Sequence, residues 1–341
     1  MTTPSVSVVV AAFNAAPTIA RAIASVRAQT LADWELIVVD DASTDSTAEI
    51  VGGFAEAAPR IRLITMAVNQ GQSTARNAGI AAARGQWVAI LDADDAYEPD
   101  RLATLVSAAT AQGLDLIADN QLIYDAPLGV ISRTALPTVC DESWSLWNDP
   151  VCYPHVLTLV DYIANSRIGR PFVWGLLKPV FRRQFLLEHS LAYQPAYRMS
   201  EDFLLLCEAL IKGARAAVHP APLYVYTTSR GDISGKASGF STSTYTPAAT
   251  LAVVAHIADA YVCRLSADER RALTAYAQSA ITADHAQKFK SAVRGCALVP
   301  ALRVLAARPA LLLSLARSAG RAITYRLVYR YLLLDFMPRH D

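Results

Sequence analysis

The alternation of strand-like and helix-like segments over residues 5–123 constrains the fold more than any other feature of the chain. The β-branched apolar runs Ser5–Phe13 and Trp34–Asp41 are typical of buried strands, and Thr18–Gln29 carries apolar side chains at helical spacing. The pattern predicts further strands at 61–66, 86–91 and 115–123, and further helices at 72–84 and 99–112. Ser43 or Thr44 is predicted to cap another helix, which runs to about residue 57. Such alternation forms right-handed βαβ units, so we expect an α/β fold with a Rossmann-like, mostly parallel sheet flanked by helices.

The pattern weakens after residue 123. The spacing predicts helices at 156–163, 178–189 and 203–212, a strand at 223–228, loops at 125–153 and 229–246, and helices from residue 247 onward. We therefore expect one α/β domain over residues 1–240, with halves at 1–125 and 126–240. A helical C-terminal region follows at 241–341.

Composition limits the class of protein. The chain has 341 residues, with 31 Lys and Arg against 30 Asp and Glu, and a net charge of +1 argues against a dedicated nucleic-acid-binding protein. A charged fraction of 18% and an apolar fraction of 53% exclude a disordered chain. The mean hydropathy of +0.26 leaves two causes open, an Ala- and Val-rich buried core or contact with a membrane.

Cysteine usage and hydropathy indicate the compartment. The five cysteines are isolated in the sequence, and their odd number favours free thiols in a reducing environment. The N-terminal residues lack the basic and cleavable regions of a signal peptide, and no window supplies the ~20 apolar residues of a spanning helix. We expect a cytoplasmic protein, with peripheral attachment to the inner face of the cell membrane left open.

Polar side chains follow three of the predicted strands. They are Asn14 after the first strand, Asp40 and Asp41 after the second, and Asp92, Asp94 and Asp95 after the fourth. Parallel strands place these ends at one edge of the sheet, where open α/β sheets bind ligands. Clustered carboxylates are unfavourable unless positive charge offsets them, and the local candidates are a divalent cation and Arg76.

The sequence also limits how this edge binds a nucleotide. The turn after the first strand reads AAFNAAP, without the glycines of a dinucleotide-binding fingerprint, and the chain has no P-loop. A lone Asp after a strand is most often a helix N-cap, which fits Asp45. The D-x-D of Asp92 and Asp94 instead follows an apolar strand directly. We expect the Asp cluster to hold Mg²⁺ or Mn²⁺, whose other ligands include the substrate's phosphates.

Four motifs resemble, in order and spacing, the nucleotide-sugar domain of inverting family-2 glycosyltransferases with the GT-A fold. They are VSVVVAAFN at 6–14, WELIVVDDASTDST at 34–47, NQGQSTARNAG at 69–79 and GQWVAILDADD at 85–95. The resemblance continues more thinly through SEDFLLLCEAL at 200–210, which is similar to the family's Glu-Asp motif. It makes 1–125 the nucleotide-sugar half and 126–240 the acceptor half, and residues 240–341 resemble no family that we can name.

The resemblance implies that the ends of the first two strands bind the base of the donor. Phe13 and Asn14 match the position near the base. Ala11 and Ala12 stand where some relatives have polar residues, which leaves a backbone contact to the base there. Asp41, with Asp40 beside it, matches the carboxylate that accepts a hydrogen bond from uracil.

The resemblance also assigns the rest of the donor site. Arg76 lies in the segment that approaches the nucleotide. Asp92 matches the residue that contacts ribose or the donor sugar, with Ala93 beside it. Asp94 matches the metal-binding residue, assisted by Asp92 and Asp95.

The Glu-Asp motif implies the catalytic base. Asp202 matches the general base and Glu201 the residue that supports it. Position alone favours a simpler interpretation, in which an acidic helix start interacts with the helix dipole. Trp174 and Lys178 fall where relatives place acceptor-side residues, and Trp174 either stacks on a sugar or fills the core.

Two further assignments concern the second half. The loop 229–240, with Arg230 and Lys236, is interpreted as a lid over the donor diphosphate. His219, which precedes a proline, is either a structural residue or an additional metal ligand.

The resemblance implies transfer of a sugar from a nucleoside-diphosphate donor, such as a UDP-sugar, to a saccharide or lipid-linked saccharide with inversion. A nucleotidyltransferase would need a glycine-rich basic loop after the first strand, which is absent. A catalytically silent scaffold in a polysaccharide assembly complex is the other alternative, and the intact carboxylates argue against it.

The C-terminal segment carries a separate charge pattern. Residues 290–341 contain nine Lys and Arg against two Asp, about +7, which leaves the rest of the chain at about −6. Residues 296–336 mix arginine with aliphatic and aromatic residues. This composition is compatible with a membrane-surface helix pair, with helices that close the fold, or with a homodimer interface.

Overall fold

A computed structural model of the chain describes residues 3–125, 130–134, 155–168, 174–228 and 247–294. The elements up to residue 125 are β1 (Val6–Ala12), α1 (Ile19–Arg27), β2 (Trp34–Asp40), α2 (Thr47–Ala57), β3 (Ile61–Thr65), α3 (Gln72–Ala82), β4 (Trp87–Asp92), β5 (Ala96–Tyr97), α4 (Arg101–Ala111) and β6 (Leu116–Asp125). The later elements are β7 (Val130–Thr134), β8 (His155–Val156), α5 (Leu159–Asn165), β9 (Val180–Arg182), α6 (Arg183–Glu188), α7 (Glu201–Ile211), β10 (Ala216–Thr228), α8 (Pro247–Ala260) and α9 (Ala267–Arg294).

The described strands form one sheet. Eight of them lie in the order β3-β2-β1-β4-β9-β6-β10-β5, while β7 pairs with β6 and β8 pairs with β10. Strand β1 pairs in parallel with both β2 and β4, and β2 pairs in parallel with β3. Ala12, Asp40 and Asp92 therefore end at the same edge, which confirms the predicted Rossmann-like half of the fold.

Two apolar layers cover the sheet because successive strand residues point to opposite faces. Val9, Ile37 and Ile90 face the core layer that contains α3, α5 and α7, whereas Val8 and Leu36 face the layer that contains α1, α2 and α4. The high apolar fraction of the sequence is thus used in a sheet that is buried on both sides.

Strand β9 is one of the antiparallel strands that make the sheet mixed, and it replaces part of a predicted helix. The sequence predicts a helix over 178–189, but Val180–Arg182 pairs antiparallel with both β4 and β6, and α6 begins only at Arg183. Val180 and Phe181 are fully or almost fully buried in this position. Burial between two strands outweighs a helical preference over so few residues.

Other predicted boundaries were wrong as well. Strand β10 begins at residue 216 rather than 223, α5 begins at residue 159 rather than 156, and α7 begins at residue 201 rather than 203. Pro220 and Pro222 mask the first half of β10 in the sequence, and they lie beside shifts in its register against β6. Residues without an N–H are tolerated at such irregularities.

The sequence predicts Ser43 or Thr44 as the cap of α2, but the helix begins at Thr47. The Asp45 carboxylate accepts hydrogen bonds from the backbone N–H of Thr47 at 3.0 Å and from that of Ala16 at 3.1 Å. The N-cap residue is Ser46, so Asp45 is not the N-cap that the sequence predicts, but its side chain ties the β2–α2 loop to the β1–α1 loop.

Glu35, near the start of β2, is a buried carboxylate that connects β1 to the segment between α3 and β4. Its side chain is 2% exposed and accepts hydrogen bonds from Ser7 Oγ at 2.7 Å, from the Arg84 backbone N–H at 2.8 Å and from Arg84 Nη2 at 2.6 Å. Burial alone would raise the pKa of Glu35, but these hydrogen bonds outweigh it and lower the pKa below its ordinary value of 4.5.

We expect Glu35→Gln to lower the free energy of unfolding near pH 7 by about 2 kcal/mol, because charge-assisted hydrogen bonds are lost. A carboxylate with a depressed folded pKa stabilises the protein above its unfolded pKa, and this contribution disappears as the pH falls through the folded value. The deficit of the variant, measured by urea unfolding, should therefore shrink towards pH 3. An equal deficit at both pH values would contradict this account.

The chain divides into two compact units, residues 1–277 and residues 278–341. The predicted domain boundary at residue 240 lies outside the described residues and stays a prediction. Within the described ranges, no helix has the length and apolar character needed to span a bilayer.

Candidate active site

A cleft of about 390 Å³ opens at the carboxyl ends of β1, β2 and β4. It brings together most of the predicted site residues, namely Ala11, Phe13, Asn14, Asp41, Arg76, Asp92, Ala93, Asp94, Lys178, Glu201 and Asp202. The lining also includes residues that the sequence analysis did not assign to the site, namely Ala12, Ala15, Pro17, Thr18, Gln72, Leu176 and Tyr226. Residues from both predicted halves therefore share one cavity.

The loops that follow β1, β2 and β3 are tied together around the cleft. Asn14, at a φ of +49°, accepts a hydrogen bond from the Thr44 backbone N–H at 2.8 Å. The Asp41 carboxylate accepts the backbone N–H groups of Gln70 at 2.8 Å and Gly71 at 2.7 Å. Gly71 has a φ of +90°, a conformation that favours glycine and directs its N–H to Asp41.

Phe13 and Asp40 differ in their access to the cleft. Phe13 is 45% exposed at the rim, a large apolar side chain that is available for stacking. Asp40 is only 1% exposed and does not line the cavity. Its Oδ2 accepts the Ser43 backbone N–H at 3.3 Å, while its Oδ1 is buried and has no hydrogen-bond partner among the described residues.

Two cations hold the floor of the cleft together. Arg76 of α3, which is 2% exposed, contacts Asp92 at 2.6 Å, Glu201 at 3.1 Å and Asp202 at 3.3 Å. Lys178 Nζ lies 2.8 Å from Asp92 Oδ2 and 2.6 Å from Asp202 Oδ2. These cations therefore join the D-x-D segment to the start of α7, which is far away in the sequence.

The first residues of α7 present the two acidic side chains of the Glu-Asp motif. Ser200 precedes the helix with a φ of +63°, and Glu201 and Asp202 follow in the first turn, where the helix dipole favours negative charge. Glu201 Oε1 also accepts a hydrogen bond from the amide of Gln72, the first residue of α3. The starts of α3 and α7 are thus linked directly.

Burial and ion pairing shift the pKa values of the charged side chains at the floor of the cleft. Burial would raise the pKa of Asp92, but Lys178 and Arg76 outweigh it and hold that pKa well below its ordinary value. Burial and then the adjacent Asp202 charge raise the pKa of Glu201. Burial opposes the charged form of Lys178, yet the facing carboxylates raise its pKa well above the ordinary value, so it stays protonated.

Asp94 is the carboxylate that best fits a divalent cation. It is exposed at the cleft and forms no ion pair with any residue in the described ranges. Desolvation at the cleft floor and the charge of Asp92 raise its pKa, an accumulation of negative charge that a metal ion would relieve. The oxygens of Asp92 already face Arg76 and Lys178, so its predicted role as a second metal ligand requires those cations to move.

Asp95, the residue after Asp94, is buried and contacts β10. It is 1% exposed and accepts hydrogen bonds from Tyr224 Oη at 2.7 Å and from the Thr227 backbone N–H at 2.8 Å.

Among the described residues, no group of three or more His, Cys, Asp and Glu side chains is arranged to hold a metal ion. A cation on Asp94 would therefore take its remaining ligands from water and phosphate, as Mg²⁺ does in many phosphate-binding sites.

A buried ion pair that was not predicted from the sequence contacts the backbone of Lys178. Arg101 is fully buried and pairs with Asp119, with Nη2 at 2.7 Å from Oδ1 and Nε at 3.0 Å from Oδ2. The same Nη2 donates to the backbone carbonyl of Lys178 at 2.6 Å. The guanidinium also lies over the rings of Tyr97 and Tyr224, and no short motif in the sequence indicates such a contact.

The structure describes Trp174 and His219, the two residues for which the sequence left two interpretations open. Trp174 is 4% exposed and packs in the core layer of α5 and α7, so its ring is not available for stacking in this conformation. His219 Nδ1 accepts the Ala221 backbone N–H at 3.1 Å, which is a structural contact inside β10. The predicted lid residues Arg230 and Lys236 and the basic segment 296–336 lie outside the described residues.

The fold is of the GT-A type. It is similar to that of S. aureus TarS 1-349 in complex with UDP-GlcNAc, with a TM-score of 0.56 and 17% identity over 88% of this chain and 90% of that one. It is also similar to the mannosyltransferase PcManGT of Pyrobaculum calidifontis in complex with GDP-Man and Mn²⁺, with a TM-score of 0.54 and 22% identity over 98% of this chain and 86% of that one. At these identities the likeness establishes the fold.

Residues 7–155 match the model of glycosyl transferase family 2, and the chain belongs to that family. It is 40% identical over 232 residues to the succinoglycan biosynthesis protein ExoO of Rhizobium meliloti, a match that covers 68% of this chain and 63% of that protein. It is 34% identical over 233 residues to ExoU of the same organism, covering 67% and 64% respectively. The chain thus spans somewhat less than two thirds of the length of these relatives.

Proposed function

We propose that the chain is an inverting glycosyltransferase that transfers a sugar from a UDP-sugar to a hydroxyl of a saccharide or lipid-linked saccharide. The observation that carries this proposal is the convergence of Asp92 and Asp202, which both contact Lys178 Nζ within 3 Å at the floor of one cleft. The names of ExoO and ExoU, succinoglycan biosynthesis proteins, support a role in polysaccharide assembly.

Asp41 and Phe13 support the proposal that the base of the donor is uracil. A carboxylate has about four acceptor positions, and the two backbone N–H groups leave room on Asp41 for a hydrogen bond from a uracil N–H. Phe13 lines the same cleft and offers an exposed ring for the base. The GDP-mannose complex of PcManGT is the reason to include guanine nucleotides in any donor screen.

Asp94 and the two buried cations, Arg76 and Lys178, support the proposal that the donor carries a diphosphate. A Mn²⁺ or Mg²⁺ ion on Asp94 would neutralise charge on the leaving diphosphate when bound. Arg76 and Lys178 place fixed positive charge at the same floor, in a position that costs no reorganisation as the leaving group develops charge.

Asp202 is the proposed general base. Its Oδ1 lies 3.3 Å from Arg76 and its Oδ2 lies 2.6 Å from Lys178, and these contacts fix the orientation of the carboxylate. In an inverting transfer the acceptor hydroxyl attacks the anomeric carbon opposite the diphosphate while Asp202 takes its proton. Glu201 accepts hydrogen bonds from both Arg76 and Gln72, so we assign it to holding Arg76 in place.

The donor site is tested by thermal unfolding with nucleotide sugars and Mn²⁺. A ligand at about 100 times its Kd adds about 2.7 kcal/mol to stability, so the true donor should stand out from its analogues. We expect Asp94→Asn to lose the Mn²⁺-dependent part of this stabilisation. Asp259→Asn, which changes an exposed carboxylate of α8 outside the cleft, should keep it.

Two outcomes would contradict the donor site. One is that no nucleotide sugar stabilises the protein, and the other is that Mn²⁺-dependent stabilisation persists in Asp94→Asn. Stabilisation without any release of nucleoside diphosphate, with acceptors present, would favour the catalytically silent scaffold.

A further inference from the structure

A second, smaller pocket of about 50 Å³ adjoins the cleft beside Asp202, and we call it the side pocket. Leu176, Glu201 and Asp202 line both cavities. The other walls of the side pocket are Ile168, Gly175, Ser200, Phe203, Thr250 and Tyr276. The proposed base therefore stands where two cavities of different size meet.

Helices α8 and α9 contribute part of this pocket. Thr250 of α8 is 1% exposed, and its Oγ1 lies 3.4 Å from Ser200 Oγ. Tyr276 of α9 stacks on Phe203 of α7 with ring centroids 4.3 Å apart. Thr250 and Tyr276 lie outside the stretch 7–155 that the family model matches, so this wall is a feature of the chain's own C-terminal helices.

The size and lining of the side pocket restrict what it can bind. About 10–15 Å³ of such space holds one water molecule, so the pocket accommodates a small substituent but not a sugar ring. The rings of Phe203 and Tyr276 offer an apolar wall for a carbon atom, and the hydroxyls of Ser200 and Thr250 offer hydrogen bonds for an oxygen atom. One carbon with one hydroxyl matches both features.

The charge of the lining excludes an anionic group. Glu201 and Asp202 both border the side pocket, whereas Arg76 and Lys178 line the cleft and not the side pocket. A carboxylate placed there would face two like charges at short range, which is unfavourable. A neutral hydroxymethyl group meets no such penalty.

We infer that the side pocket is an acceptor subsite that receives the hydroxymethyl group of a neutral hexose, and that α8 and α9 thereby help to select the acceptor. The inference rests on the proposed function. Because Asp202 borders the pocket, a group seated in it holds the rest of the acceptor ring within reach of the base.

The test uses the nucleotide sugar that stabilises the protein as donor and compares simple methyl glycosides as acceptors. The measured quantity is the rate of nucleoside-diphosphate release with each acceptor. We expect wild-type protein to use methyl β-D-glucoside or methyl β-D-galactoside at least about tenfold better than methyl β-D-xyloside, which lacks the hydroxymethyl group. Methyl β-D-glucuronide should be used least. This comparison needs no variant and does not depend on how any variant folds.

Thr250→Val keeps the shape of the side chain and removes its hydroxyl. We expect it to lower kcat/KM for the hexosides about tenfold, to leave the xyloside unchanged, and to leave donor stabilisation intact. Thr274→Val, at an exposed threonine of α9, is the matched control and should change none of these values.

The results separate the two levels of the proposal. Equal use of hexoside and xyloside by wild type, or no acceleration by either hexoside, would overturn the side-pocket inference while donor turnover leaves the proposed function standing. An equal loss for hexoside and xyloside in Thr250→Val would also overturn it. Failure of every nucleotide sugar to bind or turn over would overturn the proposed function and this inference with it.

Discussion

We expect Asp202→Asn to remove nearly all sugar transfer and to leave donor binding intact. Asparagine has almost the same shape but accepts no proton, and loss of a general base lowers turnover by about 10²–10⁴-fold. The fold should tolerate the change because Arg76 and Lys178 keep Asp92 and Glu201 as partners. The measurements are the rate of nucleoside-diphosphate release with acceptor and the thermal stabilisation by donor and Mn²⁺.

Asp268→Asn is the matched control for this variant. Asp268 occupies the first turn of α9, as Asp202 occupies the first turn of α7, so both changes remove a favourable interaction with a helix dipole. Only Asp202→Asn should lose transfer. Unchanged turnover in Asp202→Asn would remove the assignment of the base and restore the simpler interpretation of an acidic helix start.

Arg101→Met is expected to destabilise the fold by about 3–5 kcal/mol. The substitution leaves the Asp119 carboxylate buried without its cation, and an uncompensated buried charge costs that much. It also removes the hydrogen bond to the Lys178 carbonyl, so we expect weaker donor binding at temperatures where the variant remains folded. Urea unfolding measures the free energy and thermal shift measures the donor.

The double variant Arg101→Met/Asp119→Leu separates charge from packing. Replacing a buried ion pair with apolar side chains of similar volume is often neutral or stabilising, so the double variant should recover most of the lost free energy. It should not recover donor binding, because a methionine side chain has no hydrogen-bond donor for the Lys178 carbonyl. A single variant within about 1 kcal/mol of wild type would contradict the account of this pair.

The parallel half of the fold was predictable because its signals are local. Each strand from β1 to β4 is a short apolar run, and each polar residue at a strand end follows directly in the sequence. Once the strands are parallel, their ends must meet, so Asn14, Asp41 and Asp92 were placed at one edge without coordinates. The resemblance then named roles that periodicity alone does not distinguish.

The mixed half was less predictable because its elements depend on tertiary contacts. Strand β9 has only three residues, and it is a strand because β4 and β6 pair with both of its edges. Strand β10 carries two prolines that interrupt its pattern in the sequence. In each case the partner strand, rather than the segment's own propensity, determines the structure.

The electrostatic organisation of the site was only partly foreseen. Arg76 was predicted as a candidate to offset the clustered carboxylates, and the structure places it against Asp92, Glu201 and Asp202. Lys178 was placed on the acceptor side only, yet it joins Asp92 to Asp202. Pairs between residues so far apart in the chain leave no periodic signal, and neither does the Arg101 support beneath them.

The stereochemistry of donor cleavage tests the central claim most directly. With an α-linked UDP-hexose and water as acceptor, ¹H NMR of the first-formed free sugar reports its anomeric configuration before mutarotation. A single displacement in which Asp202 activates the attacking oxygen from the face opposite the diphosphate predicts the β-anomer first. Release of the α-anomer first would contradict the proposed mechanism and the role of Asp202 in it.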